Sequence, residues 1–122
     1  MANRIIHFEI PMDDTQRATT FYREMFGWDI AKWDGPMPYW NVKTGVGEDG
    51  INGALLPRGG SVTGVVNTIG VDDIDATLEK VVNNGGSHAS PKMTIPGVGD
   101  FAYCKDTEGN TFGIIQMQRE GG

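Results

Sequence analysis

Apolar and polar residues alternate at the start of the chain. Ile6, Phe8 and Ile10 fall on one side and Ile5, His7 and Glu9 on the other, the period-two pattern of a half-buried strand over residues 5–10, which Pro11 is expected to end. Asp13, Asp14 and Thr15 then supply N-cap candidates for a helix. Its apolar positions Ala18, Phe21, Tyr22, Met25 and Phe26 make one stripe expected to face a sheet, and Gly27 stands where a C-terminal cap belongs. Strand-like segments follow at residues 28–33, 39–43 and 50–56, with turns at Pro36 and Pro38 and at residues 45–50.

The run Pro57-Arg58-Gly59-Gly60-Ser61 breaks the pattern, and residues 58–63 read as a linker between module one (1–57) and module two (64–118) of a single domain. Module two begins again with a strand over 65–71. Asp72 and Asp73 cap a helix carrying Ile74, Leu78, Val81 and Val82, and Gly85-Gly86 ends it. Strands are expected at 87–89, 101–105 and 111–117, and the Pro- and Gly-containing stretch 90–100 is expected to be a long loop of the kind that forms binding lids. Laying Asp13-Asp14 over Asp72-Asp73 places His7 on Val66 and Gly27 near Gly86, so the order strand, helix, three strands occurs twice. One copy alone would leave a sheet face uncovered. The expected fold class is α+β: two βαβββ modules forming a strongly bent sheet.

Composition narrows the function. The chain of 122 residues is 39% hydrophobic and 21% charged, an ordinary globular composition. A net charge of -6 argues against a nucleic-acid partner and against an anionic membrane surface. No apolar run approaches the length of a membrane span, and the first residues lead directly into a strand with no signal-peptide pattern. The lone cysteine, Cys104, lies in a strand-like segment and reads as a small buried hydrophobe, which favours a reducing, cytoplasmic setting. Residues 95–99, Ile-Pro-Gly-Val-Gly, lack the Lys-Ser/Thr of a phosphate-binding loop, no Gly-x-Ser-x-Gly occurs, and His88 is expected to be solvated.

Three stretches resemble a known family. His7-Phe8-Glu9-Ile10-Pro11 before Asp13-Asp14, with Phe21-Tyr22-x-x-Met25-Phe26-Gly27-Trp28, is similar to the first module of the glyoxalase/bleomycin-resistance/dioxygenase (vicinal-oxygen-chelate) superfamily. Residues 71–77, with Asn84-Gly85-Gly86, resemble the second module, and Asp106-Thr107-Glu108-Gly109-Asn110 resembles the closing turn, with Thr107 in place of the usual Pro. The resemblance implies a concave sheet around a small-molecule cavity, and a homodimer. It also implies four metal-ligand positions, filled in the family's metalloenzymes by His, Glu or Gln. Here the first is His7, the second falls on Asn52 or Gly53, the third on Val66 and the fourth on Gly113. Val66 and Gly113 offer no side-chain ligand and Asn52 only a weak one, so no cofactor is expected.

The best polar candidates are His7 and Glu9, as hydrogen-bonding partners of a ligand or as general base and orienting group; satisfying local hydrogen bonds or a dimer contact is the alternative role. Trp28, Trp33, Tyr39 and Trp40 could wall a binding site or fill a core, and Trp40 is taken forward as a binding candidate. Thr68 shares a sheet face with Val66 and is expected to reach the cavity; Tyr103 completes the ligand-binding set. Together these imply a metal-independent protein that binds a small, partly aromatic molecule. The alternative is a glyoxalase-like lyase or isomerase, or a dioxygenase, with a non-standard divalent-metal or acid–base site at His7 and Glu9. A protein-interaction module with a vestigial pocket is a third reading.

Overall fold

A computed structural model describes residues 2–118. The class is α+β, and the backbone divides into two compact units, one spanning Ile6–Val66 and the other taking in Asn67 onward together with the residues before Ile6. The linker belongs with the first unit for a physical reason: Arg58 N–H donates to the Met12 carbonyl, its guanidinium binds the Asp13 carboxylate at 3.0 Å, and it also reaches the Thr63 carbonyl. The N-terminal residues are tied to the second unit by Asn3 N–H donating to Gly70 at 2.6 Å.

In the first unit, β1 (Arg4–Met12) is followed by α1 (Thr15–Phe26), β2 (Asp29–Lys32), β3 (Trp40–Lys43) and β4 (Gly53–Pro57), in the spatial order β2-β3-β4-β1. Pro11 does not end β1. It lacks a donor but not an extended backbone, and the parallel ladder to β4 continues through Pro11↔Leu56 to Met12↔Pro57. Asp14 caps α1 by accepting from Arg17 N–H, and Gly27, at φ 68°, closes it in the left-handed conformation that favours glycine.

The inner face of α1 is not the stripe expected from its apolar residues. Ala18 and Tyr22 pack on the cluster of Met12, Ile30, Val42 and Leu55, whereas Phe21, Met25 and Phe26 are 54–59% exposed. Thr19 takes the inner position, because its hydroxyl is satisfied within the helix by the Thr15 carbonyl at 2.9 Å. Trp28 then stacks flat on Tyr22, centroids 4.9 Å apart.

In the second unit, β5 (Val66–Gly70) leads to α2 (Ile74–Asn83), β6 (Ser87–His88), β7 (Met93–Ile95), β8 (Gly99–Lys105) and β9 (Thr111–Met117). The spatial order is β5-β9-β8-β6, with β7 also on β8. The stretch 90–100 is therefore not a structureless lid. Met93↔Phe101, Thr94↔Asp100 and Ile95↔Gly99 form a hairpin around a turn in which Val98 N–H donates to the Ile95 carbonyl. Val71, Ile74, Ala102, Cys104 and Ile114 form the core under α2; Val82, expected there, is 53% exposed. His88 is exposed, but its Nε2 lies 2.9 Å from the Leu78 carbonyl.

The repeat is carried by register as well as order. The displacement that takes the cap Asp14 onto the cap Asp73 takes the pair Glu9↔Ala54 onto the pair Thr68↔Gly113.

Candidate functional site

Cross-strand register sorts the first unit's side chains onto two faces. Ile10, Leu55 and Trp40 form one row, and Phe8, Gly53, Val42 and Ile30 another, on the side that packs under α1. Glu9, Ala54, Asn41 and Ala31 form a row on the opposite face. His7 lies on this second face by strand alternation. So does Tyr39, two residues before Asn41, paired to Trp33 by Trp33 N–H donating to its carbonyl at 2.7 Å.

Three polar groups on this face join in a chain. The Tyr39 hydroxyl donates to Glu9 Oε2 at 2.9 Å, and His7 Nε2 lies 2.7 Å from the same hydroxyl oxygen. Tyr39 has one proton and gives it to the carboxylate, so His7 must donate from Nε2, leaving Nδ1 as its lone-pair nitrogen. Burial lowers the His7 pKa from its usual 6.5, which favours that neutral form. Glu9 is 4% exposed, so the Tyr39 hydrogen bond offsets part of a large desolvation cost. The Trp33 ring meets Tyr39 edge-on at 6.0 Å and folds closely over Gly35, where any side chain would collide with it.

Beside the chain is a cavity of about 430 Å³, lined by His7, Asp29, Ala31, Asn41, Lys43 and Asn52 among others. Asn52 has a fixed orientation: its Oδ1 accepts from Thr44 N–H at 2.9 Å.

His7 and Glu9 are thus brought together, through a residue that was not among the chosen binding candidates. Trp40 is not with them; it packs with Ile10 and Leu55 on the helix side, with the Lys32 ammonium 5.9 Å from its ring centroid. Alternation carried the signal, since Trp40 and Val42 point inward and Tyr39, Asn41 and Lys43 must point the other way. Thr68 and Tyr103 lie in the second unit, in one row with Gly113. Thr68 is buried and its hydroxyl has no hydrogen-bond partner. Tyr103 is half-buried, edge-on to Phe101 at 4.7 Å.

The protein's own relatives agree with this architecture. A family model described as "Bleomycin resistance protein-like N-terminal" matches residues 4–44, from β1 through β3. A glyoxylase-like domain-containing protein of Didymella fabae is 36% identical over 121 residues, which span 91% of each chain. The chain belongs to the glyoxalase/bleomycin-resistance/dioxygenase superfamily. Its fold is shared with methylmalonyl-CoA epimerase from Mycobacterium tuberculosis, at TM-score 0.70 and 13% identity over 94% of this chain and 88% of that one. It is shared too with a superfamily member from Vibrio splendidus, at TM-score 0.66 and 17% identity over 96% of this chain and 100% of that one.

The metal site that the superfamily implies does not fit these residues. Among the described residues no three His, Cys, Asp or Glu side chains come together. Position 66 is a buried valine, and His7 Nε2 is engaged by Tyr39. At Gly113 a Cβ would lie 2.8 Å from both the Phe101 ring and Thr68 Oγ1, so the place of a fourth ligand is filled by neighbours.

Proposed function

We propose that this superfamily member binds a small, partly aromatic molecule in the cavity that His7 lines in its first module, without a resident metal. The observation that carries the proposal is His7, held from behind by Tyr39 and Glu9, in the lining of a cavity of about 430 Å³. The chain fixes one imidazole in one tautomer, and the small Ala31 in the cavity lining leaves room over the sheet. The exposed Phe21, Met25 and Phe26 support pairing of two copies, and the buried Cys104 supports a cytoplasmic setting.

A second reading has its own support. A neutral imidazole backed by a hydroxyl and a carboxylate is also the arrangement of an oriented general base, which fits a glyoxalase-like lyase or isomerase acting by proton transfer from substrate to Nδ1.

The test is metal content together with ligand binding. Protein purified without chelators is expected to hold far less than one metal per chain and to be stabilised by aromatic fragments in a thermal-shift panel, with His7→Ala abolishing the shift. Near-stoichiometric metal that is lost in His7→Ala would overturn the metal-free reading. Turnover abolished by that substitution in a folded protein would move the enzyme reading ahead.

A further inference from the structure

The cavity wall carries a donor and an acceptor whose identities are both fixed by the groups behind them. Tyr39 gives its proton to Glu9 and takes one from His7 Nε2, so the His7 nitrogen left for a ligand is Nδ1, an acceptor. Asn52 turns its oxygen to the Thr44 backbone N–H at 2.9 Å, while the Thr44 hydroxyl gives its proton to the Ile51 carbonyl at 2.7 Å, so the group turned to a ligand is the NH₂, a donor. The two residues are neighbours: Phe8 pairs with Gly53 in parallel register, His7 and Asn52 each come one residue earlier, and both line the cavity. Parallel strands lie about 4.8 Å apart, so the two groups can be spanned by adjacent atoms of one ligand. Among the described residues, the ionised groups in the lining are Lys43 and Asp29, directly opposite each other on β3 and β2, so their charges offset.

We infer that this cavity recognises the edge of a neutral cyclic amide (a lactam, imide or pyridone), its N–H donating to His7 Nδ1 and its C=O accepting from the Asn52 NH₂. A carboxylate does not match, because it would set a lone pair against the Nδ1 lone pair and offers no proton. The inference rests on the proposed binding role of this face and names the ligand class for it.

Three probes of similar size test it: 2-pyridone, N-methyl-2-pyridone and benzoate, titrated into the intact chain while the His7 ring and Asn52 side-chain NMR signals are followed. Saturable shifts of both with 2-pyridone are expected, with binding about tenfold or more weaker for the N-methyl compound. Asn52→Asp keeps the acceptor for Thr44 N–H but removes the donor; it should weaken 2-pyridone by a similar factor while the melting temperature holds. Equal binding of the two pyridones, or tighter binding of benzoate at His7, would overturn the amide class and leave the binding face standing. If none of the three perturbs His7, the proposed binding face falls with it.

Discussion

The Tyr39 hydroxyl donates to the Glu9 carboxylate at 2.9 Å across thirty positions of sequence, and Glu9 is almost fully buried. Removing one of the interactions of a buried carboxylate leaves part of its desolvation uncompensated, at a cost of about 1–3 kcal/mol. Tyr39→Phe is therefore expected to lower the unfolding free energy by that amount, read as a lower urea midpoint at an unchanged m-value, and to alter the His7 ring ¹⁵N shifts. An unchanged midpoint together with unchanged His7 shifts would show that the chain of three groups does not form in solution.

Much of the fold was legible because the signals were local. Both caps, Asp14 and Asp73, hold their helices where a short acidic side chain before an apolar run predicts. What was not legible depended on tertiary partners. The inner face of α1 turned on Thr19 satisfying its own hydroxyl, which apolar spacing does not register. The strand β7 was hidden because three residues beside Pro91 and Pro96 carry too little pattern until β8 pairs with them. At the site, His7 and Glu9 were visible as side chains on one strand face, whereas Tyr39 became visible only when β3 was assigned a facing. Trp40, chosen for its size, belonged to the other side of the same alternation.

His7 gives the protein a predictable acid limb. Burial lowers its folded pKa from 6.5, so the unfolded chain takes up a proton first as pH falls. Stability from the neutral ring is present above the unfolded value and is lost as pH drops toward the folded one. Chemical denaturation at about pH 7.5 and about pH 5.5 should show a loss in the parent that is smaller in His7→Gln. An equal loss in both would mean that the ring titrates as it does in water.

Asp106 acts in the same direction at lower pH. Its carboxylate accepts from the backbone and side-chain N–H groups of Asn110 and from Glu108 N–H, which hold its pKa below 3.8. The turn's contribution is complete above that unfolded value and is lost as pH falls through the folded one. Asp106→Asn should lower the hydrogen-exchange protection factors of Glu108 and Asn110 near neutral pH, and acidifying the parent should do the same. Exchange that ignores both would show that the carboxylate does not order the turn.

Thr68 reverses the usual sign of a core substitution. Its hydroxyl is buried without a partner, a penalty of about 1–3 kcal/mol that a methyl group of the same shape does not carry. Thr68→Val should raise thermal stability, whereas Thr68→Ser, which keeps the hydroxyl and loses the methyl, should lower it. Destabilisation by valine would show that the hydroxyl has a partner in solution.

Two of the first unit's three tryptophans, Trp33 and Trp40, separate binding from packing. Trp40 sits in the cluster under α1, so Trp40→Ala should cost about 2–3 kcal/mol, less than a fully buried ring because it is partly exposed. Trp33 lies against Tyr39 on the opposite face, beside the polar chain. Trp33→Ala should cost less stability and more affinity, because it removes the ring that packs against Tyr39 behind His7. Denaturation midpoints and fragment affinities for both variants decide the matter. If Trp40→Ala weakened binding more than Trp33→Ala at equal stability, the ligand would lie on the helix side of the sheet and the proposed face would be the wrong one.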